Sequence, residues 1–352
     1  VGAGSLYFGG RAGIGGAFTY AEIADNTEAG IDGGSVSGYD EVKLRALDAA
    51  RIVAGAAMGG GGSDSNGLAG AVIYNNVDNV TRASIGGGAV VDVDGDLLAQ
   101  ASSTSAVQVF EDRLHAVGTT PGEGVDYRGD ALQLDVDGVH YDDPGSSIIA
   151  VAGLFQAGKN NVGLSFVGSE VNNSHVVEVA DATLDVGGTA GLAAADATTI
   201  LGFSIGGGVA TSKFAGMGNA TANMIGNTTR VLIGADGVDT DISAGAIDAS
   251  ARNASFIGSV AGNVAIGSKA AVGAAVTYND IGNETGVEAT NASLTSSGAV
   301  DVAATNDAQI VSAAIAGTAG NSVAISGSFA WSETGNHTLA SVGDSRVDAS
   351  SL

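Results

Sequence analysis

Along most of the chain, apolar and polar positions alternate every second residue, in short runs broken by Gly, Asn and Asp. Stretches such as 269–280 (KAAVGAAVTYND) and 299–304 (AVDVAA) follow this period. A strand with one buried face produces such a period. Gly recurs every few residues and weakens helices, so a helical reading fails. The uncharged stretch 308–332 is threaded with Gly, Ser, Thr and Asn. It reads as strands and not as a membrane span.

One phrase returns six times, starting at Tyr20 (YAEIADNTEAGIDGGSV), Tyr74, Gly168, Ala222, Tyr278 and Trp331. The starts are 54, 94, 54, 56 and 53 residues apart, so the period is about 54 with one insertion of about 40. Its columns alternate in chemistry. Ile23, Val77, Val171, Ile225, Ile281 and Thr334 form one column. Thr27, Thr81, His175, Thr229, Thr285 and Thr338 form another. Ala29, Ala83, Val177, Val231, Val287 and Ala340 follow, then Ile31, Ile85, Val179, Ile233, Ala289 and Val342. After a turn, Val36, Val90, Leu184, Val238, Leu294 and Val347 mark the next buried strand.

Between the first two columns stand Asp25, Asn79, Asn173, Asn227, Asn283 and Asn336. Asn accepts left-handed backbone and bonds locally, so this column suits a sharp corner. Stacked Asn side chains can also bond along an axis.

The pattern predicts an all-β parallel β-helix, or β-solenoid. Six strand-like runs per unit, near 270–278, 285–289, 292–296, 299–304, 308–312 and 313–318 in the fifth, favour two coils per repeat. Three coils is the alternative. Two would stack about 11 to 12 coils over roughly 55 Å. On two coils per repeat, neighbouring coils need not both carry the Asn. Residues 1–352 read as one solenoid segment of a longer array, since both ends look like mid-repeat sequence without caps. Residues 110–147 read as an insertion loop or hairpin flap.

Composition narrows the function. Of 352 residues, 57 are Gly, 2 are Pro and none is Cys, which excludes disulfides and thiolate metal sites. Aromatics are only 5%, so the interior must be built from small and β-branched side chains. Thirteen basic against 38 acidic residues give a net charge of -25. That excludes nucleic acid, whose phosphates need Lys and Arg, and argues against direct membrane insertion at anionic lipid.

The stretch VGAAVTYNDIGNETGVEATNASL (272–294) and the SSGAVDVAATNDAQIVSAAIAGTAGNSVAISGSFAW that follows resemble the repeats of giant bacterial filamentous adhesins. These are haemagglutinin-like and leukotoxin-like exoproteins exported by type V routes. The resemblance covers nearly the whole chain except the insertion. It implies a right-handed parallel β-helix in an extracellular or cell-surface protein, with a non-enzymatic role as shaft or stalk. Its partners would be neighbouring repeats, end-to-end copies, or surface glycans and proteins of a host.

The insertion is the main candidate for ligand binding, because loops leaving a regular scaffold often carry function. It holds both prolines, nine acids against two bases, and Arg113, Tyr127, Arg128, His140, Tyr141, Asp142 and Asp143. The bland alternative is passive decoration, with LQLDVDGVHYDD (132–143) as a small hairpin. Asp92, Asp94 and Asp96, and Asp135 with Asp137, place carboxylates at alternate positions. They are candidate Ca2+ ligands, or simply the wet face of a strand. His175 and His337 read as surface substitutions. N-x-S/T at Asn79, Asn219, Asn227, Asn253 and Asn283, among others, offers candidate glycan sites. No constellation supports catalysis. A polysaccharide-acting β-helix enzyme and an end-to-end filament subunit are the alternatives to the shaft.

Overall fold

In a computed structural model, residues 1–8, 11–62, 66–103, 135–136, 139–140 and 145–351 are described. They form a parallel β-solenoid without a helix. Three sheets run its length. A ten-stranded long sheet faces two six-stranded ones, here termed the middle and corner sheets. The third coil shows the path. The corner strand Ser174–Val179 turns into the long-sheet strand Ala182–Ala210, whose 29 residues cross the molecule. The chain then reverses into the middle strand Phe214–Ile225 and passes Gly226 and Asn227 into the corner strand Thr228–Ile233.

Each 54-residue repeat is therefore one coil, not two. Ala12 pairs with Asn66, Ser174 with Thr228, Phe214 with Ala270 and Ala270 with Val323. The expected short runs merge because the Gly, Ala, Ser and Thr between them continue the strand. Val300–Gly320 is one strand of 21 residues. A 29-residue strand has a contour of about 95 Å, while six coils rise only about 29 Å. The solenoid is broad and short, and its breadth comes from its long-sheet strands.

Turn length shifts one expected column. The buried position after the turn holds Val36, Val91, Leu184, Ile242, Leu294 and Val347, in mutual register. Val90 points outward and is exposed, and Val238 lies within a turn. Those two coils carry extra turn residues, Gly86–Gly88 in one and Gly234–Asp239 in the other. This turn needs a left-handed residue in every coil. Gly33 and Gly34, Gly87 and Gly88, Asp181, Gly234 and Gly237, Asn291 and Asp344 all have positive φ. Gly, Asn and Asp reach that region at least cost.

The interior holds two apolar cores. One packs the corner sheet on the first half of the long sheet, around Val91, Leu184, Leu192, Val231 and Ile247. The other packs the middle sheet on the second half, around Ile73, Ile148, Leu154, Ile200 and Ile225. Each fully buried Ile or Leu contributes about 2 kcal/mol. A polar seam separates the two.

Candidate functional site

The seam is built from facing columns. From the corner come the Asn column and the Thr/His column beside it. From the long sheet come Asp48, Ser103, Asp196, Asn253 and Asn306, which share one register position. Because one coil equals one repeat, neighbouring coils do carry the Asn. The ladder forms through backbone N–H groups donating to side-chain oxygens. Asp25 N donates to Asn79 Oδ1 (3.0 Å), Asn173 N to Asn227 Oδ1 (2.9 Å), Asn227 N to Asn283 Oδ1 (3.1 Å) and Asn283 N to Asn336 Oδ1 (3.0 Å).

Across the seam, coils four and five repeat one pair. Asn253 Nδ2 donates to Thr229 Oγ1 at 3.2 Å and Asn306 Nδ2 to Thr285 Oγ1 at 3.1 Å. The third coil replaces that pair with His175 and Asp196. The expectation of a surface histidine fails: His175 is fully buried, with Nδ1 3.5 Å from Asp196 Oδ1. Neither ring nitrogen makes a hydrogen bond. Burial drives the His175 pKa down to about 4, so the ring is neutral at pH 7. Burial pushes the Asp196 carboxyl up to about 6, against the pull of donors from Thr198 Oγ1 (2.8 Å) and Asn227 Nδ2 (2.5 Å). Asp48 is raised as well, again chiefly by burial. Sequence reasoning missed Asp48 and Asp196. The signal was available as a column visible once the repeats are aligned through the long sheet.

The excursion leaves the solenoid at this seam. Asp48 pairs with Ser103 and Ala50 with Ser146, so residues 104–145 stand where the first coil has only Ala49. Its boundaries fall a few residues before the 110–147 expected from composition, and Ser146 and Ser147 belong to a buried strand. The two ends are adjacent: a Cβ on Gly145 would lie 2.0 Å from the Ser103 Cβ. Ser146 Oγ accepts from Asn173 Nδ2 at 2.9 Å, tying the return point to the Asn column.

Within the excursion, Asp135–Val136 pairs antiparallel with Val139–His140. The other expected ligand-binding residues, Arg113, Tyr127, Arg128, Tyr141, Asp142 and Asp143, lie outside the described residues, as does Asp137. Asp92, Asp94 and Asp96 line the outer, exposed face of one strand. Asp96 Oδ1 accepts from Thr189 N at 2.7 Å, where the long sheet is bulged. Among the described residues no three His, Asp or Glu converge as a metal site. Asn79, Asn219, Asn227, Asn253 and Asn283 are buried, so these sequons serve the interior and no sugar fits there.

Outside, the two halves differ. The corner half is charged, with Arg82 paired to Glu178 and Arg230 to Glu288. A trough of about 480 Å³ lies there among Glu28, Asp32, Arg82 and Glu178. Exposed pairs of this kind contribute little to stability. The other half is apolar on both flanks. The middle sheet exposes Ile14, Phe18, Leu164, Ile325, Phe329 and Trp331, and the long sheet exposes Val53, Phe155, Ile205, Val264 and Ile315. Facing inward on the same middle strands are Asn75, Ser165, Asn219, Asn223 and Thr277. The aromatic side chains of these strands are thus outside, while their inner face mixes polar residues with Ile73, Val167, Ile225 and Ile281. Runs apolar at every position, such as AVIY at 71–74, carried this signal in the sequence.

Fold and seam together define a parallel β-solenoid with one 54-residue coil per repeat. Compared with known protein families, with curated proteins and with solved structures, the chain matches none.

Proposed function

We propose that this chain is a structural segment of a secreted or cell-surface bacterial protein of the filamentous-adhesin kind. It acts as a broad, rigid scaffold that carries the segment 104–145 as its ligand-binding element. The observation supporting this is that register runs through six coils while a 42-residue excursion replaces one residue without shifting any column. Stability built coil on coil tolerates such an addition, and loops on rigid scaffolds are where recognition usually lies. With only about 5 Å of rise per coil, the scaffold supplies breadth more than reach.

The test compares the full chain with a variant in which one Ala replaces 104–145, both coated on beads and presented to arrays of host glycans and matrix proteins. The full chain is expected to adhere and the shortened one not, with unchanged β-sheet circular dichroism. Equal adhesion by both, or turnover of a polysaccharide by either, would overturn the reading.

A further inference from the structure

The outer face of the middle sheet is an apolar field with ordered borders. Four successive outward columns, headed by Ile14, Gly16, Phe18 and Tyr20, contain no charged residue in any of six coils. Eight residues by six strands cover about 26 by 29 Å, or about 750 Å². That exceeds the largest apolar patch of an ordinary monomer and equals one side of a stable interface, about 800 Å².

The borders carry opposite charge. Beyond the aromatic column lie Glu22, Glu170, Asp280 and Glu333. Tyr20 and Tyr74 donate to Glu22 and Glu170. At the other border, where the chain turns from the long sheet, stand the exposed Arg11, Lys213 and Lys269.

The relief is also ordered. The column headed by Gly16 is small in most coils (Gly70, Gly218, Ala274, Gly327) and runs as a groove beside the Phe18, Phe166 and Phe329 ridge. A hollow of about 320 Å³ opens there against Leu164, Phe166, Gly218 and Val276.

We infer that a second copy of this chain docks on this face, related by a two-fold axis that lies in the interface along the direction in which the coils stack. Such an axis through the centre of the field reverses the order of columns. The groove of one copy then receives the ridge of the other. The same operation keeps coil opposite coil, so it lays Lys269 over the partner copy's acidic border near Asp280, and Arg11 near Glu22. The field is therefore complementary to itself in shape and charge, as an isologous interface requires. The long-sheet flank has no acidic border of this kind.

The test is sedimentation velocity of the purified chain across a concentration series. Wild type is expected to form a dimer. Leu164→Asp, an outward change with no core contact to lose, should weaken it at least about tenfold while leaving the melting temperature unchanged. Ile205→Asp on the opposite flank should leave the dimer intact. Lys269→Glu should weaken it, and Lys269→Glu combined with Asp280→Lys should restore it. A monomer at tens of micromolar would overturn the inference. So would loss of the dimer with Ile205→Asp but not Leu164→Asp, failure of the charge swap, or flotation of wild type with phosphatidylcholine vesicles in place of dimerisation.

Discussion

His175 shows how one residue can look superficial in sequence and be central in structure. It occupies a column otherwise filled by Thr, which suggests a tolerant position. The structure closes that column against Asp196 and leaves the ring nowhere to hydrate. The linked pKa shifts act in opposite directions. Asp196 rises from its ordinary carboxylate value to about 6, so its stability contribution is full at low pH and is lost as pH climbs through 6. His175 falls from 6.5 to about 4, so its contribution is full above 6.5 and is lost as pH drops through 4. Between about pH 4 and 6 the two slopes largely offset, with Asp48 adding to the Asp196 side. His175→Thr should therefore expose a stability that falls with rising pH, at up to about 1.4 kcal/mol per pH unit. Asp196→Asn, which installs the residue found in the next two coils, should tilt the profile the other way, with Asp48 still offsetting part of the His175 slope. Urea melts at half-unit pH steps measure both. Identical profiles for the two variants would mean that the pair does not titrate as its burial implies.

At the scale of elements, the alternation of apolar and polar positions was enough to read strands, the 54-residue period and the corner. Ile31, Ile85, Val179, Ile233 and Ala289 all pack into the core as that alternation requires. Coil number was not legible, because Gly, Ala and Ser between apolar runs look like breaks yet carry a strand across the whole molecule. Nor was the post-turn column, since Val90 and Val91 are both apolar and only the turn length decides which of them enters the core. The turn itself gives a sharp expectation. Gly88 has φ of 78° and open space around its Cα. A side chain there meets only backbone strain. Gly88→Val should cost about 1–2 kcal/mol, and Gly88→Asn clearly less, since Asn291 holds a left-handed backbone (φ 52°) in the turn three repeats later. Denaturant midpoints would show the ranking, and equal midpoints for Val and Asn would remove the left-handed turn as its cause.

For the whole molecule, the question is whether the segment 104–145 is carried by the solenoid or helps to hold it. Its candidate ligand residues follow from composition alone. Within it the antiparallel pair at 135–136 and 139–140 and the final Gly145 are described, and its two ends are anchored on the solenoid. Ser103 and Gly145 touch, Ala50 N donates to Gly145 O at 3.1 Å, and Ser146 bonds to Asn173. The strand register on either side matches that of coils without an excursion. A closed solenoid coil needs only one residue at that place, as Ala49 and Ala197 show. By length alone, closing a loop of 42 residues costs about 3 kcal/mol more than closing one residue. Replacing 104–145 by a single Ala should recover part of that cost. The shortened protein is expected to keep the strand spectrum and to melt at higher temperature than the full chain. Calorimetry of the two proteins decides it. A lower melting temperature would show that the segment packs on the solenoid and contributes contacts worth more than its closure, making it part of the scaffold instead of its cargo.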